Sequence, residues 1–247
     1  MITYEQPLNE KIRLFLRLEL LVSRFRYHLI SRKQSDILSA LTLLLELFNL
    51  SARIDLKSEV IKEVDRCSHS VRKVISGTGE QDSTLEQLTD FNNQLYQLHG
   101  SLGQHLRSHM FFSTLRQRAS LPGGVNGFDI PLLNFWLGKG LETCVADLQR
   151  WSEPFLQTAD TAAFLLNLIR NYCSGKEYQA KAGFFQMTLR EPYQLLQVQL
   201  PEGATLYPEI SAGKQRFSLR FVELGLLDER GKQSAENVSF HLKLCAF

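Results

Sequence analysis

The sequence of 247 residues lacks the features that mark several protein classes. Its four cysteines are widely separated and include no C-x-x-C pair, so reduced thiols are predicted rather than a disulfide framework or a cysteine zinc site. With only 15 Gly and 7 Pro, the chain is neither collagen-like nor of low complexity. Because 44% of its residues are hydrophobic and 22% charged, it can bury a core, and a folded protein is expected.

Long uncharged runs are also lacking. The richest apolar stretch, residues 37–50, contains Glu46 and is shorter than the roughly 18 residues that a membrane span requires. Near the N-terminus, Arg13, Arg17 and Glu19 interrupt the apolar run that a signal peptide would need. We therefore predict a cytoplasmic protein without a membrane partner.

An excess of charge of either sign is absent as well. Lys and Arg total 28 and Asp and Glu total 26, which gives a net charge of 28 − 26 = +2. A charge this small identifies no partner, because general binding to a polyanion such as nucleic acid needs a strong field. If a charged partner exists, a local patch must bind it.

Apolar residues at helical spacing fill the first two-thirds of the chain and predict a series of helices. Ser83 and Glu86 form a capping-box pattern at the start of the fourth helix, and Asp129 is expected to cap the sixth. The predicted helices span about residues 8–29, 35–49, 57–75, 83–99, 102–119, 129–136, 141–151 and 152–173.

The period then changes to two, which is typical of antiparallel strands with one packed face and one solvated face. The alternating segments are residues 185–190, 196–200, 216–221 and 238–244. Because helices come first and strands last, the fold class is α+β, with an α-helical domain at 8–175 and a β-strand domain at 176–247. The extended residues 2–7 could join the strand domain as an added strand.

Motifs that would carry catalysis or bind a metal are missing. His105 and His109 have the one-turn spacing of a metal pair, but there is no evident third ligand, so two polar positions on a half-exposed helix are the favoured interpretation. The glycines in 123–127 lack the Lys-Ser/Thr ending of a P-loop and indicate a turn. No nucleophile or zinc-protease signature occurs. We predict a protein that is not an enzyme and has no cofactor.

What remains is a basic surface on the strands. Alternation places Arg216 and Arg220 on the solvated side of one strand, Lys243 on that of another, and Arg190 on that of a third. If these strands share a sheet, its solvated face is basic, although ordinary solubilising residues would give the same pattern. Nucleic-acid binding is the alternative function. It is disfavoured because the solvated positions carry no aromatic residue on which bases could stack.

Several long and unusual motifs occur along the chain. They are PLNEK at 7–11, RLE at 17–19, LRQR at 115–118, LPGG at 121–124, FDIP at 128–131 with Trp136, LYPEIS at 206–211 and GKQRFSLRF at 213–221. Together they resemble the ZapD family of bacterial cell-division proteins. The resemblance covers nearly the whole chain in the family's order and is loosest at residues 76–110.

The resemblance implies a function that the residue patterns alone do not give. Members of the family are cytoplasmic homodimers with a helical and a β-strand domain. They bind the C-terminal tail of FtsZ, the tubulin-like GTPase of the division ring, and cross-link its protofilaments into bundles. Bundling lowers the GTPase activity of FtsZ, and the proteins localise to mid-cell. The basic residues assigned to tail recognition are matched here by Arg53, Arg216 and Arg220.

Overall fold

The computed structural model describes residues 1–31, 33–74, 79–119, 121, 124–223 and 231–247. The chain divides into two compact units. Residues 15–165 form one, here called the helical unit, and residues 1–14 with 166–247 form the other, here called the strand unit. The two units divide between residues 165 and 166, before the predicted domain boundary at 175/176. The predicted domain limits therefore remain a prediction.

The described residues form eight helices, and their order confirms the predicted α+β class. The predicted end of the third helix, at Ile75, lies outside the described residues. The helices are α1 Glu10–Ser31, α2 Gln34–Arg53, α3 Leu56–Val74, α4 Gly79–Gln97, α5 Gln104–Arg107, α6 Met110–Ala119, α7 Pro131–Leu137 and α8 Leu141–Asn171.

Two predicted helix starts are wrong. Helix α4 begins at Gly79, so Ser83 lies inside the helix and does not cap it. Helix α7 begins at Pro131 after Ile130, because proline is favoured in the first turn, where its missing N–H costs no hydrogen bond. Asp129 instead lies in the preceding turn, where its backbone N–H donates to the Oδ1 of Asn126 at 2.9 Å.

Helix α8 is a single helix of 31 residues, although Pro154 led to the prediction of two. Proline has no N–H to donate and usually kinks or ends a helix. Here the helix continues on both sides of it. His105 Nε2 lies 3.0 Å from the backbone oxygen of Trp151 in the turn before Pro154, and Thr158 Oγ1 donates to the backbone oxygen of Pro154 at 2.9 Å. Side chains thus bond two backbone carbonyls in the turn that contains the proline.

Helix α2 supplies much of the core of the helical unit. It is long and apolar enough to cross a membrane by length and composition, and 56% of its most apolar window is buried. A buried core helix can have the same length and composition as a membrane-spanning helix, because each is hydrophobic around most of its circumference. The buried residues include Leu41, Leu44 and Phe48, each no more than 1% exposed.

The described strands number eight and pair entirely antiparallel within two sheets. They are β1 Ile2–Pro7, β2 Cys173–Ala180, β3 Phe184–Thr188, β4 Leu195–Leu200, β5 Leu206–Ala212, β6 Arg216–Glu223, β7 Lys232–Gln233 and β8 Val238–Cys245. Sheet A has the order β1-β4-β8-β2, and sheet B has the order β3-β6-β5 with β7 also paired to β6. The four segments identified by alternation therefore divide between two sheets.

The two sheets pack against each other through one hydrophobic core. Val198 and Phe240 of sheet A belong to the same buried cluster as Phe217 and Phe221 of sheet B. The ring centroids of Phe221 and Phe240 are 5.0 Å apart, and those of Phe185 and Phe240 are 5.2 Å apart. Each sheet therefore has an inner face toward this core and an outer face away from it.

Strand β1 is fixed to sheet A by a charged group as well as by its ladder. Arg170, in the last turn of α8, donates from two nitrogens to the two carboxylate oxygens of Glu5, each at 2.9 Å. Gln197 on β4 donates to the same carboxylate at 2.7 Å. Burial by itself would raise the pKa of Glu5, but these hydrogen bonds and the Arg170 charge outweigh burial and lower it.

Candidate functional site

The predicted basic residues of β6 lie on the outer face of sheet B. Phe217, Leu219 and Phe221 are no more than 1% exposed and point into the core. Arg216 and Arg220 alternate with them and are exposed. Strand alternation thus directs both guanidinium groups into solvent, as the sequence pattern predicts.

Neighbouring strands complete this surface. Directly opposite residues of an antiparallel pair share a face, so the register identifies the members of the outer face. Opposite Arg216 lies Thr188, opposite Ser218 lie Gln186 and Ser211, and opposite Arg220 lie Phe184 and Glu209. We call this set the basic face: Phe184, Gln186, Thr188, Glu209, Ser211, Arg216, Ser218 and Arg220.

The two arginines of the basic face differ in their partners. Arg220 Nε lies 3.1 Å from the Oε2 of Glu209, and the two side chains are 44% and 49% exposed. Among the described residues, Arg216 has no such carboxylate partner. Arg216 is therefore available to an incoming anion, whereas an anion that binds Arg220 must compete with Glu209.

Phe184 is a member of the basic face that the sequence interpretation missed. The alternating pattern predicts a strand that begins at Phe185, but β3 begins one residue earlier and Phe184 is 44% exposed. The expectation that the solvated side of the sheet carries no aromatic residue is therefore wrong. Phe184 lies opposite Arg220, so an apolar ring and a guanidinium group are neighbours on the surface.

Arg190 lies just beyond the end of β3. The N–H of Leu189 donates to the carbonyl of Gln215 at 2.7 Å, which holds this segment beside the start of β6. Arg190 is exposed and, with Lys176 of β2, lines a cavity at the edge of the strand unit. It is near the basic face in the fold but faces a separate concave region.

Lys243 does not share a sheet with these arginines. It lies on β8 in sheet A, between Gln197 and Gly175 in the register. Its neighbours Leu242 and Phe240 point into the core, so Lys243 is on the outer face of sheet A. The expectation of one solvated sheet face that carries all the predicted strand cations is wrong, because the strands divide between two sheets.

Arg53 belongs to the helical unit. It is the last residue of α2, where the chain turns extended at Ile54, and its side chain is exposed. A cation at this end is favourable because the carbonyl end of a helix carries partial negative charge. The structure thus gives Arg53 a local electrostatic role in addition to the role that the resemblance implies.

The histidine pair has structural contacts in the helical unit. The ring of His109 packs edge-on against Trp151 at 5.3 Å between centroids, and His105 bonds the Trp151 carbonyl. Across the described part of the chain, no group of three or more His, Cys, Asp or Glu residues is placed to hold a metal ion.

The basic face offers guanidinium and hydroxyl donors, which are suited to binding carboxylates.

Comparison with known proteins assigns the family. The model of the family described as "ZapD: Cell division protein" matches residues 16–220. The chain belongs to the ZapD family. Three relatives carry the name "Cell division protein ZapD". The one from Chromobacterium violaceum is 35% identical over the full length of both chains. The one from Methylococcus capsulatus is 34% identical over 99% of this chain and 98% of its own. The one from Ralstonia pickettii is 34% identical over the full length of both chains.

Membership of the ZapD family gives this protein a role in cell division. The family match extends from helix α1 through Arg220, so it includes both arginines of the basic face. The full-length relatives also cover β1, the end of β6, β7 and β8, which lie outside the family match.

Proposed function

We propose that this protein is a non-enzymatic adaptor that binds the C-terminal tail of FtsZ and cross-links FtsZ protofilaments at the division site. Arg216 and Arg220 of the basic face bind carboxylates of the tail, and Arg190 and Arg53 contribute further positive charge. Lys243, on the opposite outer face of the strand unit, has at most a long-range effect on this site.

The exposed pair of guanidinium groups on β6 is the observation that carries the proposal. Guanidinium donates two parallel hydrogen bonds to a carboxylate, so a row of two arginines with Ser218 between them suits a short acidic segment. Phe184 adds an apolar contact beside Arg220. Contacts of this kind are individually weak and sensitive to salt because the groups remain solvated.

Bundling follows from the number of binding sites that each partner carries. A homodimer presents two tail sites, and a protofilament presents many tails. Once one site is occupied, the other encounters neighbouring tails at a raised effective concentration, so weak contacts produce stable cross-links. Cross-linked filaments exchange subunits more slowly, which accounts for a lowered GTPase activity of FtsZ without any catalysis by the adaptor.

Charge reversal tests the proposal. We expect Arg216→Glu and Arg220→Glu each to abolish co-sedimentation with FtsZ filaments and to restore the GTPase rate of FtsZ alone. Lys181→Glu is the matched control, since Lys181 is an exposed lysine of the strand unit outside the basic face. Circular dichroism verifies that the variants fold. Undiminished co-sedimentation of both arginine variants would refute the site.

A test of Arg53 separates the contribution of the helical unit. Arg53→Glu is expected to weaken co-sedimentation without changing the fold, because the side chain is exposed. A matched control is Arg72→Glu, which reverses an exposed arginine in the last turn of another helix. Equal behaviour of the two variants would remove Arg53 from the proposed site.

Phe184 is the one observation that favours the alternative, a single-stranded nucleic-acid module on the same face. A base could stack on its ring while Arg220 binds phosphate. The small net charge of +2 disfavours this function. A mobility-shift assay at low salt distinguishes the two: tight binding to arbitrary single strands would favour the nucleic-acid module over the tail adaptor.

A further inference from the structure

A cavity of about 610 Å³ opens at one edge of the strand unit. Its walls come from β2 and β8 of sheet A, from β3 of sheet B, and from the segment that follows β3. This volume is within the range of ligand-binding clefts. The lining residues are Lys176, Tyr178, Gln186, Met187, Thr188, Arg190, Tyr193, Leu242 and Leu244.

The chemistry of the cavity is amphipathic. Leu242, Leu244 and Met187 give it an apolar floor, and two tyrosines add ring surface. Lys176 and Arg190 are both exposed, and among the described residues neither has an ion-pair partner. The described lining contains no carboxylate, so none of these residues neutralises the positive charge. A ligand with a carboxylate and an apolar side chain would match both the cations and the apolar floor of the cavity.

Lys176 is directed toward the cavity by the sheet register. It lies directly opposite Leu242, whose side chain points into the core, so the two share the inner face of sheet A. An inward-facing lysine on an edge strand can serve to prevent unwanted strand pairing. That role does not account for Arg190, a second cation on the other wall of the same cavity that has no ion-pair partner among the described residues.

The cavity is also bordered by two sheet edges. In the order of the described strands, β2 ends sheet A and β3 ends sheet B, so each has one side without a paired strand, and on that side of β3 only the bridge from Phe184 to Lys181 is described. Backbone groups on such an edge can pair with an extended peptide, while pockets accept its alternate side chains. The architecture therefore suits an extended segment more than a compact small molecule.

The cavity is continuous with the basic face. Gln186 and Thr188 line the cavity, and they are also members of the basic face, opposite Ser218 and Arg216. A peptide bound across Arg216 can thus continue over the edge of β3 without leaving the protein surface. Because the cavity and the basic face are continuous and both carry positive charge, we expect a single ligand to occupy both.

Resting on the proposed function, we propose that the cavity is a second subsite for the FtsZ tail. An apolar side chain of the tail enters between Met187 and Leu242, and a carboxylate binds between Lys176 and Arg190. The backbone of this segment pairs with the free side of β3. Lys176 is thereby a specificity-determining residue, because it selects an acidic residue at this point of the tail.

Fluorescence anisotropy with a labelled synthetic peptide of the FtsZ C-terminal tail tests the subsite. Lys176→Glu and Arg190→Glu are expected to raise the Kd by about fivefold or more, since each converts an attraction into a repulsion. Lys176→Arg should retain binding. The matched control Lys181→Glu reverses an exposed lysine in the connection between β2 and β3, outside the lining of the cavity, and should change the Kd little.

Hydrogen–deuterium exchange of the wild-type protein with the same peptide gives a second measurement that needs no variant. Amides of β3 are expected to exchange more slowly when the peptide is bound. If the wild type binds the peptide but Lys176→Glu behaves as Lys181→Glu and β3 gains no protection, the subsite is refuted and the proposed function stands. If the wild type fails to bind the peptide, both are refuted.

Discussion

The ion pair between Arg220 and Glu209 makes a quantitative prediction about tail binding. Its two groups are 3.1 Å apart and 44% and 49% exposed, so it forms close to bulk solvent. Exposed pairs of this kind contribute about 0.2–1 kcal/mol. A tail carboxylate that binds Arg220 must displace Glu209 and lose that amount. Glu209→Gln removes the competing charge and keeps the shape of the side chain.

Removing this competition should strengthen binding by the same free energy. Since each 1.4 kcal/mol corresponds to a factor of ten, the Kd for the tail peptide should fall by about 1.4- to 5-fold. Anisotropy titrations at low and moderate salt measure the change, and the gain should diminish as salt screens the site. Glu202→Gln is the control, because Glu202 is exposed in the strand unit but pairs with the N-terminal ammonium at 2.9 Å.

A double-mutant comparison tests the cause directly. In an Arg220→Gln background, Glu209→Gln should no longer improve binding, because the displaced partner is gone. A gain that persists in this background, or one that Glu202→Gln reproduces, would show that general charge explains the effect. Weaker binding after Glu209→Gln alone would mean that Glu209 positions Arg220 productively, which contradicts the competition described here.

Three further predictions concern the strand unit. Glu5→Gln should lower the free energy of unfolding by about 2 kcal/mol at pH 7, because the carboxylate bonded by Arg170 loses its charge. Since the folded-state pKa of Glu5 is lowered, the stabilisation is present above the usual carboxylate pKa and disappears as pH falls through the lowered one; urea titrations at pH 7 and pH 3 measure it. Ellman's reagent should react with Cys173 before Cys245, because burial raises the pKa of the Cys245 thiol. Gly183→Ala should lower stability by about 2 kcal/mol in the same urea assay, because φ is +67° and a Cβ would lie 2.6 Å from a backbone oxygen.

Each of these predictions has a control or a contradicting outcome. A Glu5→Gln penalty that is unchanged at pH 3 would exclude the ionised carboxylate as its source. Equal labelling rates of the two cysteines would contradict the burial of Cys245. Gly124→Ala is the control for Gly183→Ala, because Gly124 has a similar φ of +64° and, among the described residues other than its chain neighbours, no heavy atom lies within 4 Å of the added Cβ. It isolates the conformational cost from the steric one.

The sequence predicts the strands that pack one face against the core better than those at the edges. Alternation in β6 and β8 follows directly from burial of every second residue, and both strands were identified. Strand β2, with the sequence CSGKEYQA, was missed because edge position leaves most of its side chains exposed and removes the apolar period. Hydrogen bonding to β8, which depends on distant residues, makes it a strand.

Part of the candidate site could also be predicted. Arg216 and Arg220 are on one solvated face because period two is a local property of the strand. The partition of Lys243 to another sheet is a property of the topology, and no local pattern specifies it. Phe184 was missed because the boundary of β3 was displaced by one residue, which is a common error at element ends.

The composition of sheet A has a consequence for how the protein is synthesised. Its strands come from residues 2–7, 173–180, 195–200 and 238–245, and the central position next to both β4 and β2 is occupied by β8. A ribosome releases β1 long before β4 and β8 exist, so β1 must wait while more than half of the chain emerges. Sheet A therefore closes only after residues 238–245 have emerged, and a chain that stalls before that point would expose the unpaired apolar strands of this sheet to aggregation.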